Sequence, residues 1–156
     1  MDLTELYQDL ILDHGQKPRN FGKLKLYNHD AKGHNPLCGD NIHLYLNLDK
    51  KGIVTDLSFE GSGCAISVAS SSIMTEIVKN KSEKKAQELL DAFFKMIKDN
   101  NDLKKIDLTE NEKIKFQSLS GVNKFPMRVK CATLCWHTLK AAFDNQKQPI
   151  NSEVID

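Results

Sequence analysis

Two alternating stretches joined by a polar turn constrain the fold of this chain more than any other feature. Residues 41–48 and 53–60 each alternate polar and apolar side chains with period two, the pattern of strands that bury one face. Asp49-Lys50-Lys51-Gly52, between them, supplies typical turn residues. The sequence therefore predicts an antiparallel β-hairpin over residues 41–60.

This hairpin brings two cysteine-bearing segments together. Cys38-Gly39-Asp40 directly precedes the first strand, and Cys64 follows the second. Because the strands run antiparallel, the entry of one lies beside the exit of the other. Pro36 and Gly39 also shape the chain so that the side chains on either side of Gly39 can point at one spot. We therefore expect Cys38, Asp40 and Cys64 to lie close together.

Helical periodicity accounts for most of the remaining chain. It predicts helices from Leu3 to His14, over 65–79, over 83–98, from the capping box that begins at Thr109, and from Pro126 onward. Residues 17–40 are predicted to be a mostly irregular connection, and the tail from Gln146 has little to bury. The expected class is α+β, a small antiparallel β-sheet with helices packed on it. Residues 1–145 would form a single domain, followed by a tail over 146–156.

Composition limits the partners and the compartment. The 156 residues carry a formal net charge of +1, which gives no reason to expect nucleic acid or a membrane surface as a partner. No apolar run approaches the length of a membrane span, and the first residues do not resemble a secretory leader. We therefore expect a cytoplasmic protein. The four cysteines then suggest metal-binding or reactive thiols rather than disulfides.

Cys38, Asp40, Cys64 and Cys131 form a candidate metal site. Three thiolates and one carboxylate would complete the tetrahedral shell of a zinc ion. The spacing is not that of a zinc finger, and the hairpin says nothing about Cys131. Arg128 and the start of the last helix would nevertheless stabilise a thiolate at Cys131. The alternative is that Cys64 and Cys131 are buried as small apolar residues.

One further cysteine and three histidines are expected to have other roles. Cys135 lies one helical turn beyond the last candidate ligand and is expected to be a core thiol rather than a fifth sulfur of the site. His34 is near enough to Cys38 in sequence to be an additional ligand or to donate a hydrogen bond to one of the ligands. His14 and His137 fall on predicted helices without ligand-spaced partners, and we expect them to be structural.

Four segments of the sequence match a known pattern. They are Leu6-Tyr7 through Asp13-His14 to Pro18-Arg19-Asn20, then Pro36-Leu37-Cys38-Gly39-Asp40, then the stretch from Gly61 to Ser72, and Arg128-Val129-Lys130-Cys131-Ala132-Thr133-Leu134. Over residues 3–143 the chain resembles the U-type scaffold proteins of iron–sulfur cluster biogenesis. It is more similar to the SufU branch than to the IscU branch, because Lys130 stands where IscU-like chains have His.

The resemblance implies an IscU-like α+β fold, zinc bound by Cys38, Asp40, Cys64 and Cys131, and a SufS-type cysteine desulfurase as partner. A protein of this branch accepts persulfide sulfur from the desulfurase and passes it to downstream Fe–S assembly proteins. As a hypothesis for this chain, Cys38 on its mobile loop is the sulfur acceptor and Arg128 steers the persulfide anion.

Two other functions stay open at this point. The same ligands could hold iron, so that the protein is a scaffold on which a [2Fe–2S] cluster is assembled. The site could also be a structural zinc site in a domain that only binds a partner. The missing His before Cys131 argues against the first of these alternatives.

Overall fold

The computed structural model describes residues 3–99 and 106–154. Their helices and strands are, in chain order, α1 (Leu3–Gln16), β1 (His29–Asn35), β2 (Asp40–Leu48), β3 (Val54–Ser62), α2 (Ala65–Val78), α3 (Glu83–Asp99), α4 (Glu110–Gln117), α5 (Pro126–Phe143) and β4 (Ile150–Asn151). Short 3-10 turns occupy Ser120–Lys124 and Ser152–Val154. The class is α+β, as the sequence predicted.

The predicted hairpin is present as β2 and β3. The two strands pair antiparallel, with Leu44 opposite Phe59 and Asn41 opposite Ser62. Alternate side chains of β2 point into the core, where Leu44 and Leu46 are fully buried. The start of β2 therefore lies beside the end of β3, which is the arrangement expected from the sequence.

A strand that the sequence did not predict lies between α1 and the hairpin. β1 pairs antiparallel with β2 along its whole length, from His29 opposite Leu46 to Asn35 opposite Asp40. The expectation that residues 17–40 are mostly irregular is therefore wrong for residues 29–35. The inward positions of β1 are Ala31, Gly33 and Asn35, none of them a large apolar residue, and this hid the period-two pattern from a hydrophobicity argument.

The sheet has the strand order β3-β2-β1-β4, and β4 pairs parallel with β1. It is therefore a mixed sheet rather than the all-antiparallel one expected. The expectation that the tail has little to bury is also wrong, because Ile150 and Asn151 pair with β1 and Ser152 is buried. The boundary between domain and tail at residue 145 stays a prediction.

The helices cover one face of this sheet. α5 packs against β1 and β2, and α2 packs against α5 and β3. A cluster of aromatic rings joins the long helix α3 to this core, with the Phe93 ring stacked on Trp136 at a centroid separation of 5.0 Å and Phe116 edge-on to Phe93. Among the residues described above, no helix is both long and apolar enough to cross a membrane.

The connection before β1 also covers the outer edge of β3. The Phe59 N–H donates to the carbonyl of Asn20 at 3.0 Å, and the Gly22 N–H donates to the carbonyl of Phe59 at 2.7 Å. The Phe21 ring packs edge-on against the Phe59 ring at 5.2 Å. Part of the connection thus extends the sheet by one backbone bridge without forming a full strand.

Candidate metal centre

Three of the four predicted ligands meet where β2 begins. The sulfurs of Cys38 and Cys131 and a carboxylate oxygen of Asp40 all lie within 4.8 Å of one another. The two sulfurs are 3.3 Å apart, and the Cys131 thiol donates to that of Cys38. Within residues 3–99 and 106–154, this is the one group of its kind formed by His, Cys, Asp or Glu side chains. The turn between β1 and β2 supplies Cys38, the first residue of β2 is Asp40, and α5 supplies Cys131.

Cys64 lies beside this set of three without belonging to it. Its sulfur caps the start of α2 by accepting a hydrogen bond from the Ser67 N–H at 3.5 Å. Its own backbone N–H donates to Asp40 Oδ1 at 2.8 Å. The hairpin thus brings Cys64 to Asp40 as predicted, although its side chain is engaged by the helix that follows.

Asp40 is completely buried. Its Oδ1 accepts from the Cys64 N–H, and its Oδ2 accepts from the Asn35 side-chain amide at 3.0 Å. Gly63 lies directly against this carboxylate, since a Cβ on Gly63 would fall within 3.0 Å of Asp40 Oδ1. A glycine at position 63 is therefore needed for the chain to pass the carboxylate.

The surroundings of Cys131 disfavour its thiolate. Burial raises the pKa of Cys131 far above its usual value, and hydrogen bonds with Cys38, Asp40 and Cys64 raise it further. A divalent cation bound among these groups would reverse that effect, because it stabilises the deprotonated thiols and balances the carboxylate. The donor set, sulfur-rich with one carboxylate, suits zinc or iron. The residues present therefore fit a metal ion.

Arg128 stands on the first turn of α5 and is exposed. The negative charge of Cys64, followed by that of Cys131 and then of Cys38, raises the pKa of the Arg128 guanidinium. The guanidinium and the three cysteines therefore interact electrostatically. The role of Arg128 in steering a persulfide stays a prediction.

Asn35 is a residue of the site that the sequence analysis missed. As the last residue of β1 it is fully buried, and its side-chain amide donates to Asp40 Oδ2 and, at 3.5 Å, to Cys131 Sγ. Recognising β1 would have revealed it. Side chains alternate between the two faces of a strand, so Asn35 points inward like Ala31 and Gly33.

The fourth cysteine and His34 do not join the ligands. Cys135 is buried in the core, where its sulfur lies 3.4 Å from Ser70 Oγ. Burial raises the pKa of Cys135 to about 11, which keeps it a neutral thiol. His34 Nδ1 pairs with Asn41 Oδ1 at 2.8 Å on the outer face of the sheet. Neither residue is part of the set formed by Cys38, Asp40 and Cys131.

The two helical histidines make contacts within the fold. His14 is buried, with Nδ1 2.7 Å from Ser72 Oγ and Nε2 3.5 Å from a carboxylate oxygen of Glu76. The His137 ring stacks on Phe94 at a centroid separation of 4.4 Å. Both join helices to one another, as expected of structural residues.

Known proteins are similar in sequence to this protein over most of the chain. The chain is 42% identical over 142 residues to the zinc-dependent sulfurtransferase SufU of Bacillus subtilis, a match that covers 89% of this chain and 90% of that relative. It is 40% identical over 140 residues to the iron–sulfur cluster assembly scaffold protein IscU of Streptococcus pyogenes, covering 90% and 84%.

A solved structure shows the same fold. A protein from Fervidobacterium islandicum, described as an iron–sulfur cluster assembly scaffold for the SUF system, superposes with a TM-score of 0.76 at 32% identity. The superposition covers 88% of this chain and 96% of that one. The sequence profile of the NifU-like N terminal domain matches residues 6–132, which include all four candidate ligands. The chain therefore belongs to the family of NifU-like N terminal domains.

Proposed function

We propose that this protein works in iron–sulfur cluster assembly by accepting persulfide sulfur from a cysteine desulfurase and passing it to downstream assembly proteins. The observation that carries the proposal is the convergence of Cys38, Asp40 and Cys131 within 4.8 Å. The sulfurtransferase relative from Bacillus subtilis supports the assignment to sulfur transfer.

The proposed metal is zinc, and its proposed ligands are Cys38, Asp40, Cys64 and Cys131. Bound zinc would keep the thiols deprotonated at neutral pH. Cys64 joins as the fourth ligand because its backbone is already fixed to Asp40 and its side chain interacts with Cys131, and its sulfur can bind a metal while it accepts the hydrogen bond from Ser67.

Cys38 is the thiol best suited to accept sulfur. It is half-buried on the turn between β1 and β2, whereas Cys131 is fully buried on a helix. Its thiolate attacks the terminal sulfur of the desulfurase persulfide, forming a new S–S bond at Cys38 while the S–S bond of the desulfurase breaks. The desulfurase cysteine leaves as a thiolate, so the exchange needs no added oxidant or reductant.

Arg128 supports this step electrostatically. Its guanidinium is exposed and close enough to the cysteines for their charge to raise its pKa. A persulfide on Cys38 carries its negative charge on the outer sulfur, at the open side of the site. Arg128 would attract the incoming persulfide and stabilise the product there.

Cysteine turnover by the desulfurase tests the role of Cys38. With Cys38→Ser we expect the stimulation given by the wild-type protein to disappear, because a hydroxyl cannot take up the sulfur. Cys135→Ala is the matched control, since Cys135 is a core thiol outside the ligand set, and it should stimulate like the wild type. Full stimulation by Cys38→Ser would rule out Cys38 as the acceptor.

We further propose a SufS-type desulfurase as the partner and the cytoplasm as the compartment. The similarity to SufU supports the first proposal. The second rests on the four free cysteines, which a reducing compartment would preserve.

Assembly of a [2Fe–2S] cluster on the same residues is a second candidate function. The relative from Streptococcus pyogenes, a scaffold protein at 40% identity, favours it. Metal analysis of the purified protein separates the two functions. A sulfur acceptor should be colourless with one zinc ion per chain, whereas a scaffold should be brown with iron. Cys64→Ser should lose most of the zinc if Cys64 is the fourth ligand.

A further inference from the structure

The side chain of Asn35 links two candidate ligands that come from different elements. Its Nδ2 donates to Asp40 Oδ2 at the start of β2 and to Cys131 Sγ on α5. Its Oδ1 accepts from the Ser152 hydroxyl at 2.9 Å. Both ends of this fully buried amide therefore have partners, and one of them lies in the C-terminal segment.

The chemistry of the partners determines which way the amide faces. A carboxylate only accepts hydrogen bonds, so the NH2 group has to face Asp40. A reversed amide would set its oxygen against the carboxylate oxygen of Asp40, at the cost of both donated hydrogen bonds. Ser152 can donate or accept, and here it donates to the remaining oxygen. It thereby holds the plane of the amide that reaches Asp40 and Cys131.

The C-terminal segment contacts two elements next to the site. Ile150 and Asn151 pair with β1, the strand that ends in Asn35. Glu153 forms an ion pair of 2.8 Å with Lys130, the neighbour of Cys131 on α5. Residues 150–154 therefore contact β1, which carries Asn35, and α5, which carries Cys131.

We propose that Asn35 is a positioning residue for the metal ligands and that the C-terminal segment Ile150–Val154 holds it in place through Ser152. The inference rests on the proposed function, because it concerns the same metal site. A neutral amide suits this role, since it donates to two anionic ligands without bringing a positive charge that would compete with the metal. Groups that hold metal ligands in this way commonly change the metal affinity when they are removed.

The test measures metal binding by the full chain, without a desulfurase. Zinc affinity is measured by competition with a chelator, and Co²⁺ in place of zinc reports the sulfur-to-metal charge-transfer band. We expect Asn35→Ala to weaken zinc binding about 10- to 100-fold. Losing the hydrogen bond to Cys131 should also move the cobalt band to longer wavelength, because the sulfur becomes a stronger electron donor.

Ser152→Ala tests the part played by the C-terminal segment. We expect a smaller loss of zinc affinity and a band shift in the same direction as in Asn35→Ala. If Ser152 acts through Asn35, the double variant should bind zinc no more weakly than Asn35→Ala alone. Ser152→Thr, which keeps the hydroxyl, should restore the wild-type values.

Glu153→Gln is the matched control in the same segment. It removes the ion pair with Lys130 but leaves the Ser152 hydroxyl, and exposed ion pairs contribute little to stability. We expect its zinc affinity and cobalt band to equal those of the wild type. Thermal unfolding of each metal-free variant shows whether it is folded. Ser152→Ala changes a single hydroxyl and keeps the inference testable if Asn35→Ala does not fold.

Different results overturn different claims. Wild-type affinity and band position in Asn35→Ala would overturn this inference and leave the proposed function standing. Unchanged binding in Ser152→Ala, or losses that add in the double variant, would overturn the role of the C-terminal segment. A wild-type protein that binds neither zinc nor cobalt would overturn the proposed function, and this inference with it.

Discussion

The carboxylate of Asp40 lies where the ends of β1 and β3 and the start of α2 meet. It accepts one hydrogen bond from the backbone at the start of α2 and another from Asn35 at the end of β1. The N-terminal end of a helix also favours a negative charge. Asp40 is therefore held from two sides, while Cys38, two residues earlier, lies on a turn. We expect Asp40 to stay fixed when Cys38 moves to accept sulfur.

Gly63→Ala tests how closely the chain must pass Asp40. The added Cβ would fall within 3.0 Å of Asp40 Oδ1 and meet the Asp40 backbone at 3.0 Å. We expect a loss of about 1–3 kcal/mol in the free energy of unfolding, typical of overpacking, and at least about tenfold weaker zinc binding. Urea unfolding and chelator competition measure the two effects.

Gly121→Ala is the matched control for that substitution. A Cβ on Gly121 meets nothing within 4 Å, so its stability and zinc affinity should equal those of the wild type. Equal behaviour of the two alanine variants would contradict the role given to Gly63.

Residue by residue, the sequence predicted only part of the site. The hairpin pattern was enough to bring Cys38, Asp40 and Cys64 near one another. Cys131 comes from a helix far along the chain: its charged neighbours made it a candidate ligand, but no local pattern placed it beside the other three. The pattern also could not show that the sulfur of Cys64 caps α2, because side-chain direction at a helix start depends on local dihedral angles.

Among the elements, the close approach of α5 to β1 explains why β1 was missed. A Cβ on Gly33 would fall within 3.0 Å of Thr138 Oγ1 on α5, so this position of the strand admits only glycine. With Ala31 and Asn35 as its other inward residues, β1 lacks the β-branched and aromatic side chains by which strands are recognised. Because close packing against α5 requires small side chains in β1, the strand lacks the residues that would identify it in the sequence.

Gly33→Ala tests this contact. We expect it to lower the free energy of unfolding by about 1–3 kcal/mol, because the added methyl group forces α5 away from the sheet. Thr138→Ala removes the atom that the new Cβ would meet first. The loss from Gly33→Ala should therefore be smaller in a Thr138→Ala background, as a double-mutant cycle of urea unfolding would show. Equal losses in both backgrounds would mean that another contact decides the cost.

At the scale of the whole molecule, buried imidazoles make stability depend on pH. Burial lowers the pKa of His137 to about 4 from its usual 6.5, and burial also lowers the pKa of His14. Above pH 6.5 His137 is neutral in both states and contributes nothing. Between pH 6.5 and about 4 the unfolded chain binds a proton that the folded chain does not, so stability falls as the pH falls.

His137→Phe should weaken this dependence, because phenylalanine can stack on Phe94 but cannot take up a proton. We expect the stability difference between pH 7.5 and pH 4 to shrink by about 2 kcal/mol or less, allowing for the exposed side of the ring. Urea midpoints at both pH values measure it, and the pH 7.5 value alone reports any change in packing. An unchanged difference would mean that His137 is protonated equally in both states.

The helices and the hairpin were predicted from the sequence, whereas β1 and β4 were not. The helices begin and end close to the predicted positions, because capping residues and helical periodicity mark them directly. β4 has only two residues, too few for any periodic pattern to appear. Its position depends on contacts with β1 and α5, which no local pattern encodes.

Backbone contacts cover part of the free edges of the two long strands at either side of the sheet: Asn20 and Gly22 pair with β3, and the two-residue strand β4 pairs with β1. Covered sheet edges hinder the edge-to-edge pairing of strands between molecules that leads to aggregation. They also prevent a partner protein from pairing with the sheet as an additional strand along those stretches. Under the proposed function, a desulfurase would then bind along those stretches through side-chain contacts rather than by adding a strand to the sheet.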